Sequence, residues 1–150
     1  MVGSSFDTCT DTTLSLQRVE LRNVGHTAGA LQRVDVKQSR ATPLLLSAWS
    51  RVVPDEGGVA SVSTQLSDYS IYADITYVDG THLWAYSIPF DPMHTTADDD
   101  GWQQGYGVLP APKAIEAVVL VCMYRWQIGT VLFDDVCLSN LETGICTLQV

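Results

Sequence analysis

Basic residues are scarce in this chain of 150: 8 Lys and Arg stand against 17 Asp and Glu, a formal net charge of −9. That imbalance repels phosphate backbones and anionic lipid headgroups, and no Lys/Arg cluster offsets it, so nucleic acid and membrane surfaces are excluded as partners. Long apolar runs are also missing. The longest, Ala117 to Met123, is strand-sized and far short of the ~20 residues that span a bilayer. The four cysteines, at positions 9, 122, 137 and 146, form no C-x-x-C pair, which removes zinc-ribbon and thioredoxin-type motifs. MVGSSFDTCT, the first ten residues, lacks the basic and apolar regions of a secretory signal. Residues 1–10 therefore read as an excision boundary or a flexible N-terminus, and residues 11–150 as one domain of a larger protein.

With 46% hydrophobic and 17% charged residues the chain can bury a real core, and disorder is excluded. Helical periodicity is nearly absent. Short apolar or alternating runs, each followed by a turn signal, recur instead, which is an all-β pattern. The predicted strands are Thr13–Leu21, Ala30–Lys37, Leu44–Val52, Val59–Leu66, Ser70–Val78, His82–Ile88, Trp102–Val108, Ile115–Trp126 and Val131–Ser139. About nine strands broken by Gly and Pro give a two-sheet antiparallel β-sandwich of jelly-roll type. Asp79-Gly80 is the strongest hairpin signal. The stretch from Pro89 to Gly101 is a long loop, and its Asp98-Asp99-Asp100 run reads as a solvated charge cluster.

A hairpin of 117–125 with 131–138 around Gln127-Ile128-Gly129 would set Cys122 opposite residue 134 or 135, beyond bridging reach of Cys137. Cys122, inside an apolar run, then reads as a buried thiol. Cys146 pairs with Cys137 across a short turn or with Cys9 where the chain ends meet; both pairings stay open, beside that of four free thiols.

Strand alternation assigns faces. Along 44–52, Leu44, Leu46, Ala48 and Val52 point one way, and Trp49 and Arg51 the other. Along 70–78, Ile71, Ala73, Ile75 and Tyr77 share the apolar face, and Tyr72, Asp74 and Thr76 the opposite one. If the apolar faces fill the sandwich, Trp49, Arg51, Tyr72 and Asp74 look outward together, offering flat surface for stacking and fixed polar groups for orientation. Trp84 with Tyr86, and Tyr124 with Trp126, are i, i+2 pairs that each share one face, core or groove. Trp102, next to a turn glycine, reads as core.

Four segments, LLLSAWSR, YADITYVDGTHLWAYSIPFD, GWQQGYGVLPAPKAIEAVVLVC and GTVLFDDVCLS, resemble the jelly-roll carbohydrate-binding modules attached to secreted polysaccharide hydrolases. The resemblance covers roughly residues 11 to 139. Phe-Asp-Asp-Val after a Gly-Thr turn is its most specific piece. It implies a concave sheet that binds a neutral polysaccharide of β-glucan, mannan or xylan type through Trp49, Arg51, Tyr72, Asp74, Trp84, Tyr86, Tyr124 and Trp126. It also implies a secreted parent protein carrying a catalytic domain, and a structural Ca2+ stapling the N-terminal region to the last strand. Asp134 and Asp135 would supply one half of that calcium site, and Asp11, Asp7 or Glu20 the other. SSFDTCTDTT departs from the family's usual opening. Independently of the family, an acidic pair that interrupts the alternation Val131, Phe133, Val136, Leu138 implies a β-bulge. A structural Arg or Lys partner for these aspartates competes with calcium.

Enzymatic function finds little support in the residues. Glycosidases need two carboxyl groups ~5–9.5 Å apart, and the assigned face offers Asp74 alone. The Glu-x-Asp-x-x-Glu of β-sandwich glucanases, Gly-x-Ser-x-Gly and His-Glu-x-x-His are all missing. A non-catalytic carbohydrate-binding domain is the leading expectation. A protein-interaction sandwich and a lyase using a tyrosine base are the alternatives.

Overall fold

The computed structural model describes residues 18–24, 27–53, 65, 68–94, 100–141 and 146–149. Among them run nine strands: β1 (Val19–Val24), β2 (Thr27–Asp35), β3 (Leu44–Val53), β4 (Tyr69–Tyr77), β5 (His82–Pro89), β6 (Gln103–Leu109), β7 (Ile115–Arg125), β8 (Ile128–Asn140) and β9 (Cys146–Gln149). One sheet has the order β1-β8-β3-β6, with β9 also on β8; the other has the order β2-β7-β4-β5. All pairings are antiparallel. The protein is thus an all-β, two-sheet antiparallel sandwich with jelly-roll character. Only β4–β5 and β8–β9 pair with their sequence neighbour; every other connection crosses from one sheet to the other. The expected strands largely coincide with these, except that Val59–Leu66 falls almost wholly outside the described residues. So does most of Thr13–Leu21. Among the described residues no helix is long and apolar enough to cross a membrane.

The expected hairpin between 117–125 and 131–138 does not exist. β7 and β8 lie in different sheets, and residues 126–127 form the corner between them. Trp126, at φ 56°, and Gly129, at φ 124°, take left-handed backbone there, and the Tyr124 hydroxyl donates to the Ile128 carbonyl at 3.1 Å. Cys122 therefore sits opposite Ala30 and Ile71 rather than residue 134 or 135. It is a free, buried thiol, and burial pushes its pKa up to about 12. Cys137 is disulfide-bonded. The Asp79-Gly80 hairpin is present: the Gly80 N–H donates to the Tyr77 carbonyl at 2.9 Å, and Gly80, at φ 81°, supplies the left-handed residue that L side chains avoid.

The inward rows of both sheets fuse into one core, Leu44, Leu46 and Ala48 of β3 meeting Ile71, Ala73 and Ile75 of β4 and Val118, Leu120 and Cys122 of β7. Four aromatic rings hold one end of it. Tyr69 packs against Phe90, Tyr124 and Phe133 at centroid separations of 5.4, 5.5 and 6.0 Å. The Tyr69 hydroxyl is satisfied by Ser50 Oγ at 2.8 Å, and that Oγ donates to the Leu132 carbonyl at 2.7 Å. Burial drives the Tyr69 pKa well above the phenol range. Edge strand β6 comes close because Gly105 bears no side chain: a Cβ there would stand 2.9 Å from the Phe90 ring.

Two β-bulges shape the outer surfaces. In β8, Ser47 pairs with Cys137 and Trp49 with Asp134, leaving two residues opposite Ala48. Asp135 takes φ 49° and donates its N–H to Asp134 Oδ1 at 3.0 Å. This bulge, expected from the acidic interruption, returns Val136 and Leu138 to the core side. In β5, Trp84 and Ala85 together face Asp74, with Ala85 at φ 63° and its N–H held by Asp74 Oδ1 at 2.9 Å.

Candidate functional site

The alternation along β3 and β4 is as expected. Leu44, Leu46, Ala48, Ile71, Ala73, Ile75 and Tyr77 are buried, while Trp49, Arg51, Tyr72 and Asp74 are partly exposed and leave the core. They do not, however, share a surface. β3 belongs to the five-stranded sheet and β4 to the four-stranded one, with the core between them. Trp49 and Arg51 therefore look out on one side of the sandwich, Tyr72 and Asp74 on the other. Period-two alternation tells which side chains leave the core, but not which sheet their strand joins.

Around Tyr72 and Asp74 the outer face of the four-stranded sheet is built row by row. One row reads Leu31, Val121, Tyr72 and Ser87; the next reads Arg33, Val119, Asp74 and the β5 bulge. The bulge decides what stands beside Asp74. Its extra residue lets Trp84 point outward while Tyr86 turns inward, so the expected common face of Trp84 and Tyr86 is lost. Trp84 is 63% exposed and stacks on His82 at 4.6 Å, and His82 is anchored by Thr76 Oγ1 at 3.1 Å from Nδ1. Tyr86 packs on the core with its hydroxyl over Gly107. Partial burial raises the Tyr72 pKa, the hydrogen bond to Asp74 and its negative charge raise it further, and Arg125 offsets part of this. Arg33 is tied to Asp35 at 2.9 Å, and Arg125 to the buried Asp68 at 2.8 Å. Apolar floor, one indole, one phenol and fixed polar groups thus share this surface.

Tyr124 is fully buried, with its hydroxyl bound at the β7–β8 corner, so it cannot stack on a ligand. Trp126, half-exposed, stands on that corner outside both strand ladders. The shared face expected for these two is therefore also absent.

On the opposite surface, Trp49, Trp102, Arg18, Asp134 and Asp135 line a cleft of about 410 Å³. The guanidinium groups of Arg18 and Arg51 lie over the Trp102 ring at 5.3 and 5.2 Å. Arg51 Nη1 also donates to the Asp100 carbonyl at 3.3 Å. Arg18 Nε and Nη2 both donate to Asp134 Oδ2 at 3.1 Å. Sequence reasoning missed Arg18 and took Trp102 for core. Neither residue carries a local signal, because their partners lie 116 and more than 50 residues away in the chain.

The Asp134 environment bears directly on calcium. Both of its oxygens are engaged, one by a guanidinium, and a dication beside Arg18 would be repelled. Calcium takes ~6–8 oxygen ligands. Among the described residues no three His, Cys, Asp or Glu converge to hold a metal ion, and Asp11 lies outside them. Among the described residues Asp134 is held by an arginine staple, and the expected ligands Asp7 and Asp11 lie outside them.

No protein-family model matches the chain, and no curated protein does. Among solved structures it is similar to one described as "CBM4 structure and function", at 16% identity and a TM-score of 0.43, over 76% of this chain and 60% of that one. It is also similar to the enzymatically active domain of bacteriophage CBA120 tailspike protein 4, at 10% identity and a TM-score of 0.47, over 86% of this chain and 18% of that one. The chain therefore spans less than two thirds of either structure. The fold assignment rests on the strand pairing itself.

Proposed function

We propose that this domain binds a neutral polysaccharide, of β-glucan, mannan or xylan type, on the outer face of the four-stranded sheet, and that it does so without catalysis. The observation that carries the reading is the β5 bulge, which sets the exposed Trp84 indole beside Tyr72 and Asp74 on one solvent-facing surface. Sugar rings have apolar C–H faces and polar rims. An indole and a phenol take the faces, while a carboxylate and guanidinium groups take the rims. A chain of net charge −9 favours neutral over uronate polymers. Chemistry supports the non-catalytic reading, since glycosidic cleavage needs two cooperating carboxyls. Asp74 is committed to a backbone N–H, and Asp35 to Arg33. In this reading the domain is a targeting module of a larger secreted protein whose catalysis lies elsewhere. The disulfide at Cys137 suits an oxidising compartment.

Native affinity electrophoresis in gels containing β-glucan, galactomannan or xylan tests the reading. Wild type should be retarded by at least one polymer, and Trp84→Ala should weaken binding by about tenfold, as the loss of ~1.4 kcal/mol of stacking implies. If no polymer retards wild type, or if Trp84→Ala and Tyr72→Ala bind as wild type does, this face is not a glycan site. A protein-interaction domain is then the better description.

A further inference from the structure

We infer that the cleft on the five-stranded sheet is a second, smaller saccharide site, one that takes one or two neutral sugar units rather than an extended chain. The inference rests on the glycan-binding reading for its ligand class, but on different residues and on the opposite surface of the sandwich.

Size is the first consideration. At about 410 Å³ the cleft, open to solvent on one side, has room for one or two sugar units. Charge comes next. The cleft sets the Arg18 guanidinium on Asp134, with Asp135 beside them and Arg51 over the Trp102 ring, so hydrogen-bond donors and acceptors stand side by side. A neutral ligand carrying both donors and acceptors is what such a lining recognises. Each hydroxyl of a vicinal diol donates and accepts, so the carboxylate oxygens can receive from one hydroxyl while guanidinium N–H groups give to its neighbour.

Preorganisation completes the case. Trp49 pairs with Asp134 across the β3–β8 ladder beside the bulge, and Asp134 is fixed by Arg18 on one oxygen and by the Asp135 N–H on the other. Trp102 is held by both guanidinium groups. These side chains need little ordering on binding, which keeps the entropic cost low. Two sites facing away from each other would let one domain hold a chain along one face and a chain end on the other, with avidity for branched or bundled material.

The chain has four tryptophans, so four indole N–H resonances report on four separate places. With these assigned by single Trp→Phe variants, cellobiose, mannobiose and xylobiose are titrated, followed by the corresponding hexasaccharides. The Trp49 and Trp102 resonances should shift saturably with at least one disaccharide. Trp49→Ala should weaken that response about tenfold while leaving the hexasaccharide response of Trp84 unchanged. Trp126, on the corner, serves as the internal control. Silent Trp49 and Trp102 signals at tens of millimolar of every disaccharide overturn the second site, whatever Trp84 does. A silent Trp84 with responding Trp49 and Trp102 overturns the first reading and keeps the second site. Should Trp49→Ala fail to fold, the wild-type titration alone decides the outcome.

Discussion

Replacing Arg18 with alanine removes three contacts at once: two N–H···O bonds to Asp134 Oδ2, both 3.1 Å, and the guanidinium over Trp102 at 5.3 Å. The Arg18 side chain is 54% exposed, so its ion pair belongs to the surface class and contributes about 0.2–1 kcal/mol. A cation–π contact at similar exposure adds about 0.5–1 kcal/mol. The Asp134 side chain, 19% exposed, would keep only the Asp135 N–H, which places the total towards the upper end. We expect a loss of about 1–2 kcal/mol, or a fall in Tm of about 3–6 °C for a domain of this length. Arg18→Lys, which keeps the charge but not the planar fork, should fall between wild type and alanine. Calorimetry of the three proteins with and without excess chelator separates this staple from a metal. A calcium ion at one hundred times its Kd would contribute about 2.7 kcal/mol, so chelation of a calcium-stapled protein would lower Tm at least as far as the alanine variant does. Wild type should melt at the same temperature with and without chelator. A fall in Tm on chelation, or an Arg18→Ala protein that melts with wild type, would refute the arginine staple.

Ser50→Ala strips the buried Tyr69 hydroxyl of its 2.8 Å partner and should cost about 1–3 kcal/mol in urea unfolding; Tyr69→Phe should cost less, since Ser50 keeps the Leu132 carbonyl. Arg125→Ala leaves the Asp68 carboxylate buried without its guanidinium and should cost about 3 kcal/mol by the same assay; a loss below that of Arg18→Ala contradicts the assignment. Cys122 should resist aromatic disulfide reagents in the native protein and react only on unfolding, because its thiol is buried and its pKa is raised to about 12. Asp79, hydrogen-bonded by Lys113 and Thr81, is held below the usual carboxylate range. Its stabilising effect is therefore complete above about pH 4 and fades as pH falls towards its lowered folded value, so Asp79→Asn should flatten the acid limb of a Tm–pH curve.

Strand identity was largely legible in the linear pattern, because alternation and turn residues act over a few positions. The runs 44–52, 70–78 and 82–88 became β3, β4 and β5 with ends shifted by a residue at most. The β8 bulge was legible for the same reason: an acidic pair in an apolar alternation has one local remedy. The β5 bulge was not. Leu-Trp-Ala-Tyr-Ser-Ile alternates acceptably with or without an extra residue, and only the Asp74 carboxylate, 11 positions away, holds Ala85 in its left-handed conformation. Sheet membership was equally hidden. Gln127-Ile128-Gly129 reads as a hairpin turn, yet it leads into a crossover, because the hydrophobic pattern of a strand is the same in either sheet.

Composition and alternation alone thus settle an acidic, all-β, sandwich-forming chain and name the side chains that leave its core, since burial of an apolar face is a local demand on each strand. How those side chains are grouped was settled by assembly. Long-range pairing sent Trp49 and Tyr72 to opposite surfaces, drew Trp84 to Asp74 and Arg18 to Asp134, and closed Tyr124 into the core. Contacts between strands more than a hundred residues apart depend on which sheet each strand joins, and no period in the sequence encodes that choice.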